Sequence, residues 1–505
     1  MVISRQLSTG ATGLLVSLLA FAALRVLDTP IMADVPLNQR PAPKAAETAV
    51  AKSQFPVPAP PLNADNFGWG IQRTMKLLAT STPQRRNTVR ILFYGQSITN
   101  QNWTKIVSDD LRKRFPHANL IIENRSIGGF SSQLLWKTAE FDLYSFGPDL
   151  VIFHVYGSHT DYDRIIHNIR TRTTAEVLMQ TDHINTPGDI SEETDPAKLS
   201  PANWGAWFNH VFLPQTAKKY NVELLDQRAE WKRYLTMNNL QPQALLSDGV
   251  HLNDWGNYAM AEFVKAHLRY DPRFSNAPWK DLVREYKVGT DIKWKDGKLT
   301  LPFAGNRVDV IAALPKNAQA ANNVQAGPLR VLIDGKRPSQ FPEMYVFSRP
   351  SGTPHIGWPG VIHLTSQAPL QVEDWTARLT EINEDASKFK FNITGSKTGP
   401  DGSGTSDAKF ISNSGRIAIA PEDWWLNSDY KLSKKPTPEG YEIKWRVVPQ
   451  FVDQYVAPQT KDTSIEYSTT LAQGLSNGQH TLQLVASGKN VPAISTIRVY
   501  RPPVL

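Results

Sequence analysis

The sequence contains no cysteine, and that absence removes disulfide staples, thiolate catalysis and cysteine-ligated zinc together. No run of lysine and arginine is interleaved with aromatics, so no basic stripe for nucleic acid is present. Nor is charge of one sign abundant: 55 Lys+Arg against 47 Asp+Glu leaves +8 over 505 residues, too dilute to define a polyanion partner. The 30 glycines and 36 prolines follow no collagen-like period. The apolar stretch Ala11–Leu24 is interrupted by Arg25 and is too short to cross a hydrocarbon core comfortably. What remains, at 41% hydrophobic and 20% charged residues, is a soluble globular chain long enough for several domains.

Arg5 followed by Ala11–Leu24 reads as the charged start and apolar centre of a secretory leader, with Met32-Ala33 before Asp34 offering a cut. Residues 1–33 are therefore expected to be a signal peptide or, if uncut, an N-terminal anchor; only then would the chain touch a membrane. The expected location is periplasmic or extracellular. Residues 34–65, rich in Pro and Ala, read as extended linker.

From Asn87 to about Tyr270, buried-strand patterns alternate with helical ones. Val89–Tyr94, Leu120–Ile122, Leu150–Phe153, Glu176–Met179 and Val222–Leu225 read as strands. Trp103, Ile106, Val107, Leu111 and Phe115 recur at helical spacing between the first two. This βαβ arithmetic predicts an α/β domain over 66–275 with a mostly parallel sheet and a ligand crevice beyond the carboxyl ends of its strands. After about Asp271 the pattern changes to short strands: Lys298–Phe303, Arg307–Ile311, Leu329–Ile333, Gly478–Val485 and Ile497–Tyr500, with Asp334-Gly335-Lys336 as a hairpin turn. Residues 276–505 therefore read as a β-sandwich with a long insertion around 340–460.

Four segments of the α/β region carry chemistry. The first strand runs into Gly95-Gln96-Ser97-Ile98-Thr99-Asn100, where a serine at a strand-to-helix turn presents its hydroxyl to the crevice; helix capping by Ser97, Thr99 or Asn100 is the competing reading. The second strand runs into Asn124–Ser131, where Gly128-Gly129 lets backbone N–H groups approach a ligand. The third runs into His154–Asp161. Near the end of the domain, Asp248-Gly249-Val250-His251 puts a carboxylate and an imidazole side by side on a loop entering a helix, where His251 can serve as a base for Ser97 and Asp248 can orient it.

These segments resemble the four characteristic blocks of the SGNH, or GDSL-like, hydrolase superfamily, over about residues 88–270. The resemblance implies a flavodoxin-like three-layer αβα domain with Ser97 as nucleophile, Asp248 and His251 as its partners, and Gly129 as an oxyanion donor. At two positions the sequence departs from the family. Gln96 stands where an Asp usually precedes the nucleophile, a Gly-Gln-Ser variant similar to the sialate O-acetylesterase-like branch. His159 stands where an Asn usually supplies a further oxyanion donor, and its imidazole is a candidate for that task; a one-residue slip would put Ser158 or Thr160 there.

Asp182 and His183, after the fourth strand, are candidate substrate contacts, with a structural histidine as the competing reading. No regular metal-ligand spacing is present, so neither metal nor cofactor is expected. The resemblance implies an esterase of acylated carbohydrate or another small ester, with polysaccharide contact through the β-rich region, where Trp375, Trp424 and Trp425 are candidate stacking residues. A polysaccharide O-acetyltransferase and a catalytically silent glycan-binding scaffold are the rival readings.

Overall fold

The computed structural model describes residues 54–61, 64–274, 281–313, 327–352, 358–458, 460, 462–488 and 491–504; the expected leader and most of the linker lie outside them. Among the described residues no helix is long and apolar enough to cross a membrane.

The five apolar runs become parallel strands β1 (Thr88–Gly95), β2 (Asn119–Asn124), β3 (Leu150–His154), β4 (Glu176–Gln180) and β5 (Glu223–Leu225), in the order β2-β1-β3-β4-β5. Helices α1 (Gln72–Ala79), α2 (Trp103–Arg114), α3 (Ser132–Ala139), α4 (His159–Arg172), α5 (Pro187–Ile190), α6 (Trp204–Trp207), α7 (Leu213–Tyr220), α8 (Gln227–Met237) and α9 (Asp254–His267) accompany the sheet. Successive side chains of a strand point to opposite faces, and β1 divides accordingly. Val89, Ile91 and Phe93 pack with Trp103, Val107 and Leu111 of α2 and Ala259, Phe263 and Val264 of α9. Leu92 and Tyr94 join Leu135 of α3 and Ile165 and Ile169 of α4 on the other side. The result is a flavodoxin-like three-layer αβα domain. Strand order reverses between β1 and β3, so the loops after these two strands diverge and open the crevice there.

The C-terminal region folds antiparallel strands β6 (Val283–Lys287), β7 (Lys298–Ala312), β8 (Leu329–Ile333), β17 (Gln454–Tyr455), β18 (Ser468–Ala486) and β19 (Ile494–Tyr500) into one sheet, ordered β17-β8-β18-β7-β19-β6. Two expected strands, Lys298–Phe303 and Arg307–Ile311, are halves of β7. Gly305 joins them at φ 156°, with the Tyr500 carbonyl where a side chain would stand. Opposite it, the β18 register breaks between Gln473 and Gly478. Leu299, Leu301 and Phe303 from one half and Val308 and Val310 from the other enter a single cluster with Ile497 and Val499, so the sheet folds over into a β-sandwich. Asp334 and Gly335 form a tight turn at φ 50° and 79°, closed by reciprocal Ile333–Lys336 bonds, but it leads into the insertion rather than a hairpin partner.

The insertion forms a second sheet from β9 (Tyr345–Phe347), β10 (Ser351–Gly352), β11 (Asp374–Thr380), β12 (Lys390–Gly395), β13 (Gly399–Thr405) and β16 (Glu442–Pro449), with a small β14 (Phe410–Ile411) and β15 (Ala418–Ile419) pair beside it. It has its own core, and the tryptophans expected to stack on sugars belong to packing instead. Trp375 alternates inward with Ala377 and Leu379 along β11, lies opposite Trp445 and is 0% exposed. Trp424 packs against Phe389 and Phe391, and Trp425 against Phe130. Period-two burial turns Trp375 away from solvent, while ring packing buries Trp424 and half-buries Trp425 in the turn before the next helix.

The two β regions reach opposite ends of the parallel sheet. The sandwich meets the amino ends: Thr88 Oγ1 donates to the Glu466 carbonyl at 2.7 Å, and Asn306 Nδ2 to that of Arg172 at 2.8 Å. The insertion meets the crevice side, where Arg349 pairs with buried Asp142 at 2.7 Å and Lys137 with Asp423 at 2.6 Å.

Candidate active site

Ser97 sits in the tight turns that follow β1. Gly95 is required there, because a side chain on it would collide with the His154 carbonyl and the Thr99 hydroxyl. Helix capping does not account for these residues. The N-cap of α2 is Asn102 without a side-chain cap, while Thr99 Oγ1 donates to the His154 carbonyl at 3.1 Å. The free N–H of Trp103 at the start of α2 is taken by Asn257 Oδ1 of α9 at 2.8 Å.

Ser97 Oγ lies 3.0 Å from His251 Nε2, and His251 Nδ1 lies 2.8 Å from Asp248 Oδ2. A carboxylate only accepts, so Nδ1 carries a proton; in the neutral ring Nε2 is then the acceptor, and the serine hydroxyl donates to it. Asp248 Oδ1 also accepts the backbone N–H groups of Val250 and His251, each at 2.7 Å, which folds the loop around the carboxylate. Desolvation tends to raise this carboxyl, but those two N–H groups and the imidazole outweigh it and hold it below the ordinary carboxylate value. Asp248 therefore stays ionised beside the imidazole, although 47% of its side chain is exposed.

Residues with no motif of their own hold the two loops together. Gln101 donates from Nε2 to the Leu252 carbonyl at 3.0 Å and accepts the Leu252 N–H on Oε1 at 3.0 Å, clamping the serine loop to the histidine loop. Asn124 Nδ2 donates to the Thr99 carbonyl at 2.7 Å, tying in the second-strand loop. Local sequence carries no signal for either contact beyond amides next to loops.

The glycine pair lies beside the serine. A Cβ added to Gly128 would stand 3.7 Å from Ser97 Cβ, so Gly128 faces this serine. Gly129 makes the left-handed turn at φ 78°, covered by the ring of Trp358 from the insertion. The Trp358 indole N–H donates to the Gly128 carbonyl at 2.7 Å, which orients this peptide from outside the α/β domain. Nothing in the sequence near Trp358 points to this contact.

His159 opens α4, and its ring stacks against Trp204, Trp207, Phe208 and Phe212. Its buried Nε2 has no hydrogen-bond partner, and desolvation lowers its pKa. The structure thus commits this imidazole to an aromatic stack. Ser158 caps α4 by accepting the Asp161 N–H, and Thr160 is exposed.

Asp182 and His183 form the crevice floor next to the histidine loop. His183 Nε2 donates to the Val250 carbonyl at 2.8 Å, and Asp182 Oδ1 lies 3.1 Å from His154 Nε2 and 3.2 Å from His183 Nδ1. Desolvation pushes the Asp182 carboxyl up, but the hydrogen bonds from His154 and His183 outweigh it and hold it well below the ordinary carboxylate range. The three residues present ligand-type atoms within 4.8 Å of one another, the one such group among the described residues. Asp182 Oδ1 also accepts the His183 backbone N–H at 3.1 Å, so the protein itself holds this carboxylate.

No family model and no curated protein matches this sequence. The chain is similar to several solved structures. One is an acetyl xylan esterase, at 22% identity over 35% of this chain and 98% of that one, TM-score 0.29. Another is an acetylxylan esterase from Geobacillus stearothermophilus, at 17% identity over 37% and 97%, TM-score 0.31. A third is a two-domain esterase active on acetylated mannans, at 13% identity over 87% and 98%, TM-score 0.33.

Proposed function

We propose that the protein is an exported serine esterase of the SGNH type that removes O-acetyl or similar acyl groups from a carbohydrate. The observation that carries this reading is the continuous hydrogen-bond chain from Ser97 through His251 to Asp248, at 3.0 and 2.8 Å. Ser97 Oγ attacks the ester carbonyl as its proton passes to His251 Nε2; the tetrahedral oxyanion collapses, and His251 returns the proton to the departing sugar oxygen. Water, activated by the same imidazole, then cleaves the acyl-serine and releases the carboxylic acid. Asp248 holds the ring in the tautomer that leaves Nε2 free and stabilises the imidazolium while it exists.

The backbone N–H groups of Ser97 and of the Gly128-Gly129 turn are the oxyanion donors in this scheme, and Trp358 fixes the orientation of that turn. With His159 held among aromatic rings, the backbone supplies the stabilisation that a third-block side chain gives elsewhere in the superfamily. The resemblance of Gly95-Gln96-Ser97 to the sialate O-acetylesterase-like branch supports a carbohydrate O-acyl substrate. The apolar segment Ala11–Leu24 supports export.

The test is turnover of p-nitrophenyl acetate by the full chain and by Ser97→Ala. Removing the nucleophile of a working triad costs ~10⁴–10⁶ in kcat, so activity should vanish while the circular dichroism spectrum is unchanged. Equal turnover by both proteins would refute the esterase. Supplying an oligosaccharide with the acetyl donor separates hydrolysis from transfer, because acetylated sugar as the main product would mark a transferase.

A further inference from the structure

Among the described residues, two large aromatic side chains are exposed, Tyr156 at 39% and Trp204 at 43%, and they touch one another edge to face with ring centroids 6.4 Å apart. The remaining described Phe, Trp and Tyr rings are buried or half-buried.

Both rings are anchored to the loops that carry the candidate chemistry. The Tyr156 carbonyl accepts the Ser132 N–H at 3.0 Å, directly after the glycine turn that faces Ser97. Gly157 leaves no space for a side chain against Ser131, Ser132 and Gln133, so the β3 loop and the glycine loop are locked together. Trp204 starts α6, which Asn209 ties to the crevice floor: Asn209 Nδ2 donates to the Gly205 carbonyl at 2.9 Å, and its Oδ1 accepts the Asp182 N–H at 2.7 Å. Phe208 stacks on Trp204 at 5.1 Å and 6°, fixing the indole plane. Asp182 itself keeps 27% of its side chain exposed, and its charge is felt by the Tyr156 phenol, which is raised first by desolvation and then by this carboxylate. His183 and Val250 connect this floor to His251.

We propose that Tyr156 and Trp204, with the partly exposed Asp182 carboxylate that Asn209 ties to α6, form a subsite for a neutral pyranose unit of the acylated carbohydrate. This rests on the esterase reading above and names how the substrate chain is held. A sugar ring has apolar C–H faces and a hydroxyl rim. Rigid aromatic faces cover the first at low entropic cost, and an ionised carboxylate accepts hydrogen bonds from the second. The same carboxylate repels uronic acids, so the subsite selects uncharged residues. The aromatic platform expected in the β-rich region is thus assigned to the α/β domain, on a loop bonded to the segment that follows the glycine turn.

The experiment measures binding by isothermal titration calorimetry to the Ser97→Ala chain, which cannot consume the ligand. The probes are neutral hexasaccharides of xylose, mannose, glucose and N-acetylglucosamine, with oligogalacturonate as the charged control. At least one neutral hexasaccharide should bind, and adding Trp204→Ala or Tyr156→Ala should weaken it about tenfold or more, the effect of losing an aromatic anchor. Trp204→Phe should restore most of the affinity. Failure of all four neutral sugars at millimolar concentration, affinity unchanged in both alanine variants, or binding of oligogalacturonate alone would overturn the proposal. Failure of the esterase reading would show instead in p-nitrophenyl acetate turnover, which this measurement does not use.

Discussion

The sandwich and the inserted sheet are built from the same kind of antiparallel strands, yet they stand in different relations to the crevice. The sandwich attaches to the amino ends of the parallel strands, through Glu466 at Thr88 and Asn306 at Arg172. The inserted sheet attaches on the side where the loops open, through Arg349 at Asp142, Lys137 at Asp423 and Trp358 at Gly128. One β region buttresses the fold, and the other reaches the peptide that faces Ser97. The inserted sheet reaches the chemistry directly, through residues it places against the loops.

The largest effects should come from paired removals of buried charge partners. Arg349→Met strands Asp142, which is 2% exposed, and Arg307→Met strands Asp309, which is fully buried; each should cost about 3–5 kcal/mol in unfolding free energy. The comparison predicts that they separate in function. Arg307→Met should lower the melting temperature while the folded protein turns over p-nitrophenyl acetate normally. Arg349→Met should lower both, because Arg349 Nη2 also donates to the Arg125 carbonyl of the loop leading to the glycine turn, at 3.0 Å. Equal activity losses in the two variants would erase the distinction.

A pH series sharpens the same pair. Desolvation keeps the Asp142 carboxyl above its ordinary value of 3.8 even with Arg349 beside it. A carboxyl raised in the folded state favours folding most below its unfolded pKa and loses that contribution as pH rises through the folded value. Removing Arg349 raises it further. The deficit of Arg349→Met relative to the parent should therefore be full near neutrality and shrink toward about pH 4, as denaturant melts at several pH values would show. A deficit independent of pH would mean that Asp142 is not the group left uncompensated.

Trp358→Ala should come next. It deletes the cover over Gly129 and the donor to the Gly128 carbonyl, so kcat/KM for p-nitrophenyl acetate should fall about tenfold, the scale of one lost hydrogen bond at an oriented peptide. Trp358→Phe, which keeps the ring but lacks the N–H, should fall between. The smallest effect belongs to the sandwich: Thr88→Val removes the half-buried hydrogen bond to Glu466 and the one Asn119 Nδ2 donates to the same hydroxyl, and should cost about 1–2 kcal/mol of stability, with kcat/KM unchanged. A drop in turnover from Thr88→Val exceeding that from Trp358→Ala would reverse the assignment of the two regions.

Much of the architecture was legible because it is written in short-range periodicity. Short continuous apolar runs marked β1 to β5, and helical spacing marked α2. The long strands β7 and β18 were harder: Gly305 and the register break at Gln473–Gly478 look like turns in sequence, and only the continuous pairing across them makes each a single bent strand. The tryptophans of the insertion were misplaced for a related reason, since composition marks an aromatic ring but not which neighbours will pack over it. In the crevice, Ser97 and the Asp248–His251 pair announce themselves through local turn chemistry. Gln101, Asn209 and Trp358 do not, because each acts on a backbone far away along the chain.

The sequence by itself determined the parallel sheet, the glycine that permits the turn before Ser97, and the three-residue spacing that lets Asp248 grip His251, all matters of neighbouring residues and their backbone preferences. Only the tertiary structure decided that Ser97 meets His251 across 154 positions, that Trp358 seats itself on the Gly128 peptide across 230, and that Tyr156 and Trp204 emerge together. Contacts of that span are fixed by how whole layers pack, and layer packing sums many weak apolar contributions that no local pattern encodes.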